Sequence, residues 1–327
     1  MKKLVFFLVI CLFITGCGNE NQPTKINFDN SYYQVATPYQ SAVGSYSIRD
    51  YDKEEVEKML MMLSSEYFKI NNSLYQEGQY LTTEEMKNLV TEYNKTDEIV
   101  VDGIKINPAY ITAIYEQNYL ATNNVLKGIS LAIVVDNVQQ YNQNQYKKID
   151  ENIVLDYALT KAQELNDYMR TKNELKDINI VIGIYLENDF KGSFKYIGST
   201  TNDNLKLNYI NYNYQLLDSN YVMNNDSNSY NTILAIKNSL NDYNVYLNSY
   251  GLYKDKELQE VHIIINKSYF KRSEILDISN NIANNLSTFD GISVKVYLKS
   301  NGITKAFIDK ESSATKIKTY VLEEWKW

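Results

Sequence analysis

Histidine and cysteine are almost missing from this chain: among 327 residues there is one of the first and two of the second. Both cysteines, Cys11 and Cys17, fall within the first 17 residues, so whatever folds beyond them has no thiol. Disulfides, thiolate catalysis and cysteine-metal sites are excluded together. With a single imidazole, a serine-histidine-acid triad would have to use His262, and no Gly-x-Ser-x-Gly elbow accompanies it. A transition-metal site would have to rest on carboxylates, and Asp97, Glu98, Asp150, Glu151 and Asp189 do not reproduce the spacing of a calcium-binding EF-hand loop. No catalytic residue, no metal site and no cofactor is expected. Basic runs are missing as well. The formal charge is −7, or −9 once Lys2 and Lys3 are taken away, which disfavours nucleic acid as a partner.

Long apolar runs are confined to one place. Leu4 to Ile14 is an uninterrupted stretch of 11 apolar residues behind Lys2 and Lys3, and nothing later reaches a dozen. Spanning a bilayer takes roughly 20 helical residues, so this stretch reads as the core of a signal peptide and not as a membrane helix. Ile14-Thr15-Gly16-Cys17 fits a lipobox: an aliphatic residue, two small residues, then the cysteine. Cleavage is expected between Gly16 and Cys17, with lipid on the Cys17 sulfur. Two acyl chains hold a protein to a membrane stably where one is marginal. The polar stretch from Gly18 to Thr24 suits a flexible tether. Residues 1–16 are thus expected as signal peptide and 17–31 as lipidated tether, which places the rest at the extracytoplasmic face of the cell membrane, with the membrane as partner through the anchor.

About 310 residues remain, enough for one large domain or two smaller ones. Asp52-x-x-Glu55 is a capping box, and Val56, Leu60, Leu63, Tyr67 and Ile70 recur at helical spacing behind it. Thr82-x-x-Glu85 opens a second helix through Met86, Leu89, Val90 and Tyr93, with a turn centred on Gly78 between the two. Asn107 followed by Pro108 predicts a third helix over Ala109 to Leu120. From Gly128 the period turns to alternation, giving a strand through Ile129, Leu131, Ile133 and Val135 that ends near Asp136. A helix along Val154, Ala158, Ala162, Leu165 and Met169 follows, then a buried strand over Ile178 to Leu186 and a short return at Phe194 to Ile197.

The same order recurs about 130 residues later: a helix on Ile233, Ile236, Leu240 and Tyr243, a strand on Val261, Ile263 and Ile265, a helix on Ile275, Ile278, Ile282 and Leu286, then strands at Ile292 to Leu298 and Ile303 to Ile308. The reading is an α+β fold of two related α-β-α-β-β repeats, with helices packed on a largely antiparallel sheet. The first repeat spans 32–201, with inserts at Gln139 to Asp150 and Thr171 to Asp177. A polar joint spans 202–229 and the second repeat 230–327.

Several acidic pairs admit two readings. Glu54-Glu55, Glu84-Glu85 and Glu323-Glu324 could act as glycosidase carboxylates, but two of the pairs sit in first helical turns, where the macrodipole favours negative charge, and capping is the reading preferred. His262 alternates with Val261 and Ile263, so it lies on the opposite face of its strand as a satisfied or exposed side chain. The 30 tyrosines suit glycan or peptide binding, although an AT-rich coding bias predicts the same mixture. Trp325 and Trp327 could form an exposed aromatic edge or close a terminal strand onto the core.

The chain resembles the CamS-type sex pheromone precursor lipoproteins of Gram-positive bacteria over most of its length. The residues that carry the resemblance are the lipobox at Cys17, the helix begun by Asp52 and ending in Leu63-Ser64-x-x-Tyr67-Phe68, and the turn Glu77-Gly78-Gln79-Tyr80-Leu81. Pro108-x-Tyr110, the run Tyr115-Glu116-Gln117-Asn118-Tyr119-Leu120 and Gly128-Ile129-Ser130 complete the set. The resemblance implies an ectodomain of two related repeats. It also implies that the end of the cleaved signal peptide is released as a short hydrophobic pheromone inducing conjugative plasmid transfer in neighbouring cells. Here that fragment is Ile10, Cys11, Leu12, Phe13, Ile14, Thr15 and Gly16, with Cys11 and Thr15 as departures that bear on receptor fit. The folded part is then a non-enzymatic lipoprotein with an envelope glycan, peptide or protein ligand unspecified. Alternatives are a glycan-binding or hydrolytic envelope lipoprotein and a solute-binding lipoprotein.

Overall fold

A computed structural model describes residues 33–36, 44–188, 190–202, 204–313 and 317–322. The chain opens with two short strands, β1 (Gln34–Val35) and β2 (Ser45–Ser47), and then α1 (Lys53–Ser64). Asp52 caps α1 by accepting from the Glu55 backbone N–H at 3.1 Å. The helix ends at Ser64, so Val56, Met59, Leu60 and Leu63 form its buried stripe, while Tyr67 and Ile70 lie beyond it. After β3 (Leu74–Glu77) comes α2 (Thr83–Tyr93), opened by a reciprocal capping box between Thr82 and Glu85. A small hairpin, β4 (Ile99–Val101) and β5 (Ile104–Ile106), leads into two long strands, β6 (Ile111–Leu120) and β7 (Leu126–Val135). The hairpin β8 (Val138–Asn142) and β9 (Gln145–Lys148) precedes α3 (Glu151–Arg170), β10 (Asn179–Leu186), β11 (Ser193–Thr200) and β12 (Asn208–Tyr209).

The strands β1-β3-β6-β7-β10-β11-β12 form the first sheet in that order, with β2 also on β6. Helices cover both faces. On one side α2 and α3 pack on Ile114, Ile129, Leu131 and Ile182, and on the other α1 packs on Tyr115, Tyr119, Val134 and Val181. This double cover corrects the third helix expected over Ala109 to Leu120. That segment is β6, and all ten of its residues are buried. A strand buried on both faces loses the polar alternation that marks a strand, and Asn107-Pro108 precedes an extended segment instead of capping a helix. Its Ile, Thr and Tyr content was the surviving strand signal.

The second half begins with β13 (Tyr212–Leu216), α4 (Asn220–Asn225) and α5 (Ser227–Ser239). It continues through β14 (Tyr246–Lys254), β15 (Glu257–Asn266), α6 (Arg272–Asn285), β16 (Ser293–Ser300), β17 (Ile303–Lys310) and β18 (Lys318–Val321). Strands β13 to β18 form the second sheet in sequence order. Helices α5 and α6 cover one of its faces through Ile233, Ile236, Ile278 and Ile282.

The mixed α+β architecture is as expected; within the mainly antiparallel sheets, β1–β3 and β7–β10 of the first and β15–β16 of the second are parallel pairs. In the first sheet the antiparallel pair β6–β7 is followed by α3, which returns to β10 parallel to β7, and β11 runs back beside β10. In the second sheet β14–β15, α6, β16 and β17 repeat those steps. With the hairpins β4–β5 and β8–β9 of the first half set aside, each run reads α-β-β-α-β-β, one strand more than the expected unit. The missing members are β6, taken for a helix, and β14, whose Tyr, Asn and Ser content hid it.

The chain crosses from one sheet to the other between β12 and β13. Lys195 on β11 ties the crossing down, donating from Nζ to the Tyr212 carbonyl at 3.2 Å and to Asn213 Oδ1 at 2.6 Å. Burial lowers the pKa of that ammonium. Val56, Met59 and Leu60 of α1 share one buried cluster with Tyr212, Tyr214 and Leu252 of the second sheet, so the two sheets close a common core.

Candidate functional site

The residues expected to carry the chemistry of the leader, Ile10 through Gly16 and Cys17, lie outside the described residues, as do Asp189, Glu323, Glu324, Trp325 and Trp327. Within the described part, charged side chains converge where α1 meets the second sheet. The apolar stripe of α1 turns toward the first sheet, which leaves Glu55 and Lys58, three positions apart, to face the second.

Glu260, on β15, is the centre of this seam. Its side chain is 0% exposed, and Lys58 Nζ lies 2.8 Å away, Lys295 Nζ 3.1 Å and His262 Nε2 3.2 Å. Burial alone would raise its pKa, but contact with His262 and the charges of Lys58 and Lys295 outweigh burial and hold it well below the usual carboxylate range. His262 does sit opposite the core face, as its alternation predicts, and it is engaged twice. It pairs with Glu260, and its ring stacks on Tyr250 at 4.9 Å with planes 6° apart.

A second acid extends the seam. Glu55 accepts from Lys191 Nζ and from the Tyr214 hydroxyl, and Lys191 Nζ also stands 3.7 Å from Asp52. Burial pushes Glu55 up, yet Lys58, Lys191 and those hydrogen bonds bring it below its ordinary value. The same Lys191 lies 4.7 Å from the Tyr214 ring centroid and 5.7 Å from that of Tyr250, a cation held over two aromatic faces. Thus Glu55 departs from the capping role read for it: Asp52 caps its backbone N–H, while its carboxylate is buried between the halves. Glu85 keeps the capping role and also receives Tyr168 at 2.8 Å and Lys172 at 2.5 Å.

A third buried acid lies elsewhere. Glu116 on β6 accepts from the backbone N–H groups of Gln79 at 2.9 Å, Tyr80 at 3.0 Å and Leu81 at 2.8 Å. The turn centred on Gly78 is thus wrapped around a carboxylate. Burial raises the Glu116 pKa against the pull of those three amides. Two of the segments that carry the family resemblance, Glu77 to Leu81 and Tyr115 to Leu120, meet in this contact.

Proton transfer at neutral pH asks for a group whose pKa lies near 7. Glu55 and Glu260 are held ionised by fixed cations, which suits a clamp and not a shuttle. Glu187, just past β10, is pushed up to about 7 by burial and by the Asp136 carboxylate, despite a hydrogen bond from Thr112 and the charge of Arg49. Among the described residues no three or more His, Asp or Glu side chains are grouped to hold a metal ion. A depression of about 470 Å³ between α5 and α6 is lined by Asn228, Asn231, Thr232, Ala235, Asn285 and Thr288. It offers amides and hydroxyls, with neither a carboxylate nor a ring. Among the described residues no helix is long and apolar enough to cross a membrane.

The seam escaped sequence reasoning because its members are scattered. Lys58 and Glu260 stand 202 residues apart. The available signal was Glu260 and His262, two residues apart on the same face of a strand whose alternate residues Val261 and Ile263 are apolar.

A family model described as CamS sex pheromone cAM373 precursor matches residues 40–316. The crystal structure of a sex pheromone precursor from Lactobacillus salivarius subsp. salivarius UCC118 is 20% identical with a TM-score of 0.73, covering 83% of this chain and 88% of that one. The C-terminal domain of the sex pheromone staph-cAM373 precursor from Staphylococcus aureus is also 20% identical, with a TM-score of 0.71, covering 84% and 97%. At that identity the likeness is one of fold. No curated protein matches the chain.

Proposed function

The chain belongs to the CamS sex pheromone cAM373 precursor family, and from that premise we propose that it is a non-enzymatic lipoprotein anchored through Cys17 at the extracytoplasmic face of the membrane. Cleavage between Gly16 and Cys17 frees the leader, and the fragment Ile10 to Gly16 acts as a short hydrophobic pheromone that induces conjugative plasmid transfer. The observation that carries this reading is the lipobox Ile14-Thr15-Gly16-Cys17 standing at the end of an 11-residue apolar run, in a chain of this family. Residues 17–31 form the tether, and the two sheets form the body it holds.

The buried acids support a structural role for that body. Glu55 and Glu260 are matched by lysines and a histidine across the seam between the halves, and Glu116 by three backbone amides within the first. A solute-binding lipoprotein needs a cleft between two lobes. Here α1 meets the second sheet through packed Met59, Tyr214 and Leu252 and through ion pairs.

Two measurements test the reading. Replacing Cys17 by Ala is expected to shift the protein from the membrane fraction to the medium; retention in membranes sinks the anchor. Synthetic peptide Ile10 to Gly16 added to plasmid-bearing responder cells is expected to raise transfer. No response at saturating dose removes the pheromone, and leaves the anchor to be judged separately.

A further inference from the structure

Two acids stand side by side at the carboxyl ends of the parallel strands β7 and β10. Leu186 is in register with Val135, and the Glu187 N–H donates to the Val135 carbonyl at 2.8 Å, so Asp136 and Glu187 follow as neighbours on adjacent strands. Adjacent strands lie roughly 4.8 Å apart, and like charges opposite one another repel. Arg49 is committed to the first of the two. Its Nη1 lies 3.0 Å from Asp136 Oδ2 and 3.2 Å from the Val138 carbonyl oxygen, and its Nη2 donates to the Ala109 carbonyl. Glu187 takes a neutral donor, the Thr112 hydroxyl at 3.1 Å.

The segment that delivers Arg49 is a strap along β6. The Gly44 carbonyl accepts from the Glu116 N–H at 2.7 Å, β2 pairs with Ala113, Ile114 and Tyr115, and the Ile48 N–H donates to the Thr112 carbonyl at 3.0 Å. Thr112 therefore touches both parties, holding the strap by its carbonyl and Glu187 by its hydroxyl. Ser47 and Ile48 are exposed, so the strap lies at the surface. The turn before α1 adds Asp52, whose charge also raises the Glu187 pKa and which itself stands 3.7 Å from Lys191 Nζ. Tyr51 of the same turn and Tyr185 on β10 interact with Glu187 as well, and burial raises both phenols, so neither titrates near neutral pH.

We propose that the Asp136–Glu187 pair is a proton-operated catch for this strap: with Glu187 neutral, residues 44–49 stay fastened to β6, and with Glu187 ionised they open more readily. Opening lets water reach Glu187, and burial is the largest cause of its raised pKa. Departure of Arg49 works the other way, but its charge is a smaller influence than burial. The open strap thus holds fewer protons than the closed one between the ordinary 4.5 and about 7, and rising pH through that range favours opening. The strap joins the tether to the body, so each freed residue adds about 3.3–3.6 Å of reach. That gain in reach rests on the Cys17 anchor; the catch itself does not.

The test is hydrogen exchange, read by mass spectrometry, on the full chain in mild detergent at pH 5, 6, 7 and 8, with rates corrected for the intrinsic pH dependence of amide exchange. The peptide holding Ser45 to Ile48 is expected to open separately from β7 and β10, with protection falling about tenfold or more between pH 5 and pH 7. Glu187→Gln, neutral at every pH, is expected to keep the protection seen at pH 5 throughout. Thr112→Val removes the hydroxyl that favours the ionised form, so its response should move to higher pH, whereas a merely structural loss would lower protection equally at every pH. Protection in the parent that does not vary with pH overturns the proposal. So does a response that survives in Glu187→Gln, and so does a strap that exchanges only together with β7 and β10. None of these results bears on membrane retention of Cys17→Ala, so the catch and the anchor fail independently.

Discussion

Lys58 Nζ and Glu260 Oε2 stand 2.8 Å apart across the seam between the first helix and the second sheet, joining residues 202 positions apart. With Glu260 fully buried, this pair cannot be treated as a surface salt bridge. Breaking a buried pair leaves one charge uncompensated, at a cost of about 3–5 kcal/mol, which the remaining Lys295 and His262 contacts reduce here. Lys58→Ala is expected to lower stability by about 2 kcal/mol in urea unfolding. A change within error would mean that Lys295 alone holds the carboxylate.

Acid should reveal the same pair. Glu55 and Glu260 have folded pKa values below their unfolded ones, so the stability they contribute is present above the unfolded value and is lost as pH falls through the folded one. Glu260→Gln is expected to be less stable than the parent at pH 7 and to show a shallower loss below about pH 4.5. Parallel stability curves for the two proteins would remove the seam from the acid response.

Glu187 has the opposite sign. Its folded pKa, about 7, exceeds the ordinary value of 4.5. The folded state therefore holds more protons between those values, and the stability contributed by the protonated form is lost as pH rises through about 7. Glu187→Gln is expected to exceed the parent at pH 8 by about 1–2 kcal/mol, discounted for partial exposure, and to match it more closely at pH 5. Denaturant midpoints at the two pH values decide; an equal gap at both refutes the assignment.

Gly78 leaves no room for a side chain. A Cβ added there would stand 2.7 Å from Glu116 Cβ and 3.0 Å from its Cγ. Gly78→Ala must push Glu116 off the three amides it accepts from, at an expected cost of about 1–3 kcal/mol. Thermal melting measures this, and an unchanged midpoint would show that the turn yields freely.

The Tyr214 hydroxyl is a donor to buried Glu55. Tyr214→Phe keeps the ring under Lys191 and removes only that donor, so about 1–2 kcal/mol should be lost. Combined with Lys191→Met, the two effects should fall short of additive, since both act on one carboxylate. Strict additivity in the double-mutant cycle would separate them.

Much of the fold was legible because caps and alternation are local. Asp52 and Thr82 announced α1 and α2, and the one-sided alternation of Val261, Ile263 and Ile265 gave β15 and its core face. Strand β6 was not legible, because helices on both sides of its sheet bury polar and apolar residues alike, Glu116 and Gln117 as well as Ile114. Glu55 was misread for a related reason: the capping pattern fixes what its backbone does and says nothing of its carboxylate. The seam needs Lys58, Lys191, Glu260 and Lys295 to converge from four separate segments, and no local pattern encodes that.

The shared core also sets an order of events. Chains are made N-terminal end first, and Glu55 on α1 has its Tyr214 donor only once the second sheet has been made. Glu260 likewise lacks its cation from α1 unless both halves are present. A partly made chain therefore holds a first half whose acid Glu55 and cation Lys58 still lack their partners from the second sheet. The ion pair Lys58–Glu260 closes only when the second sheet arrives, so the seam is set last.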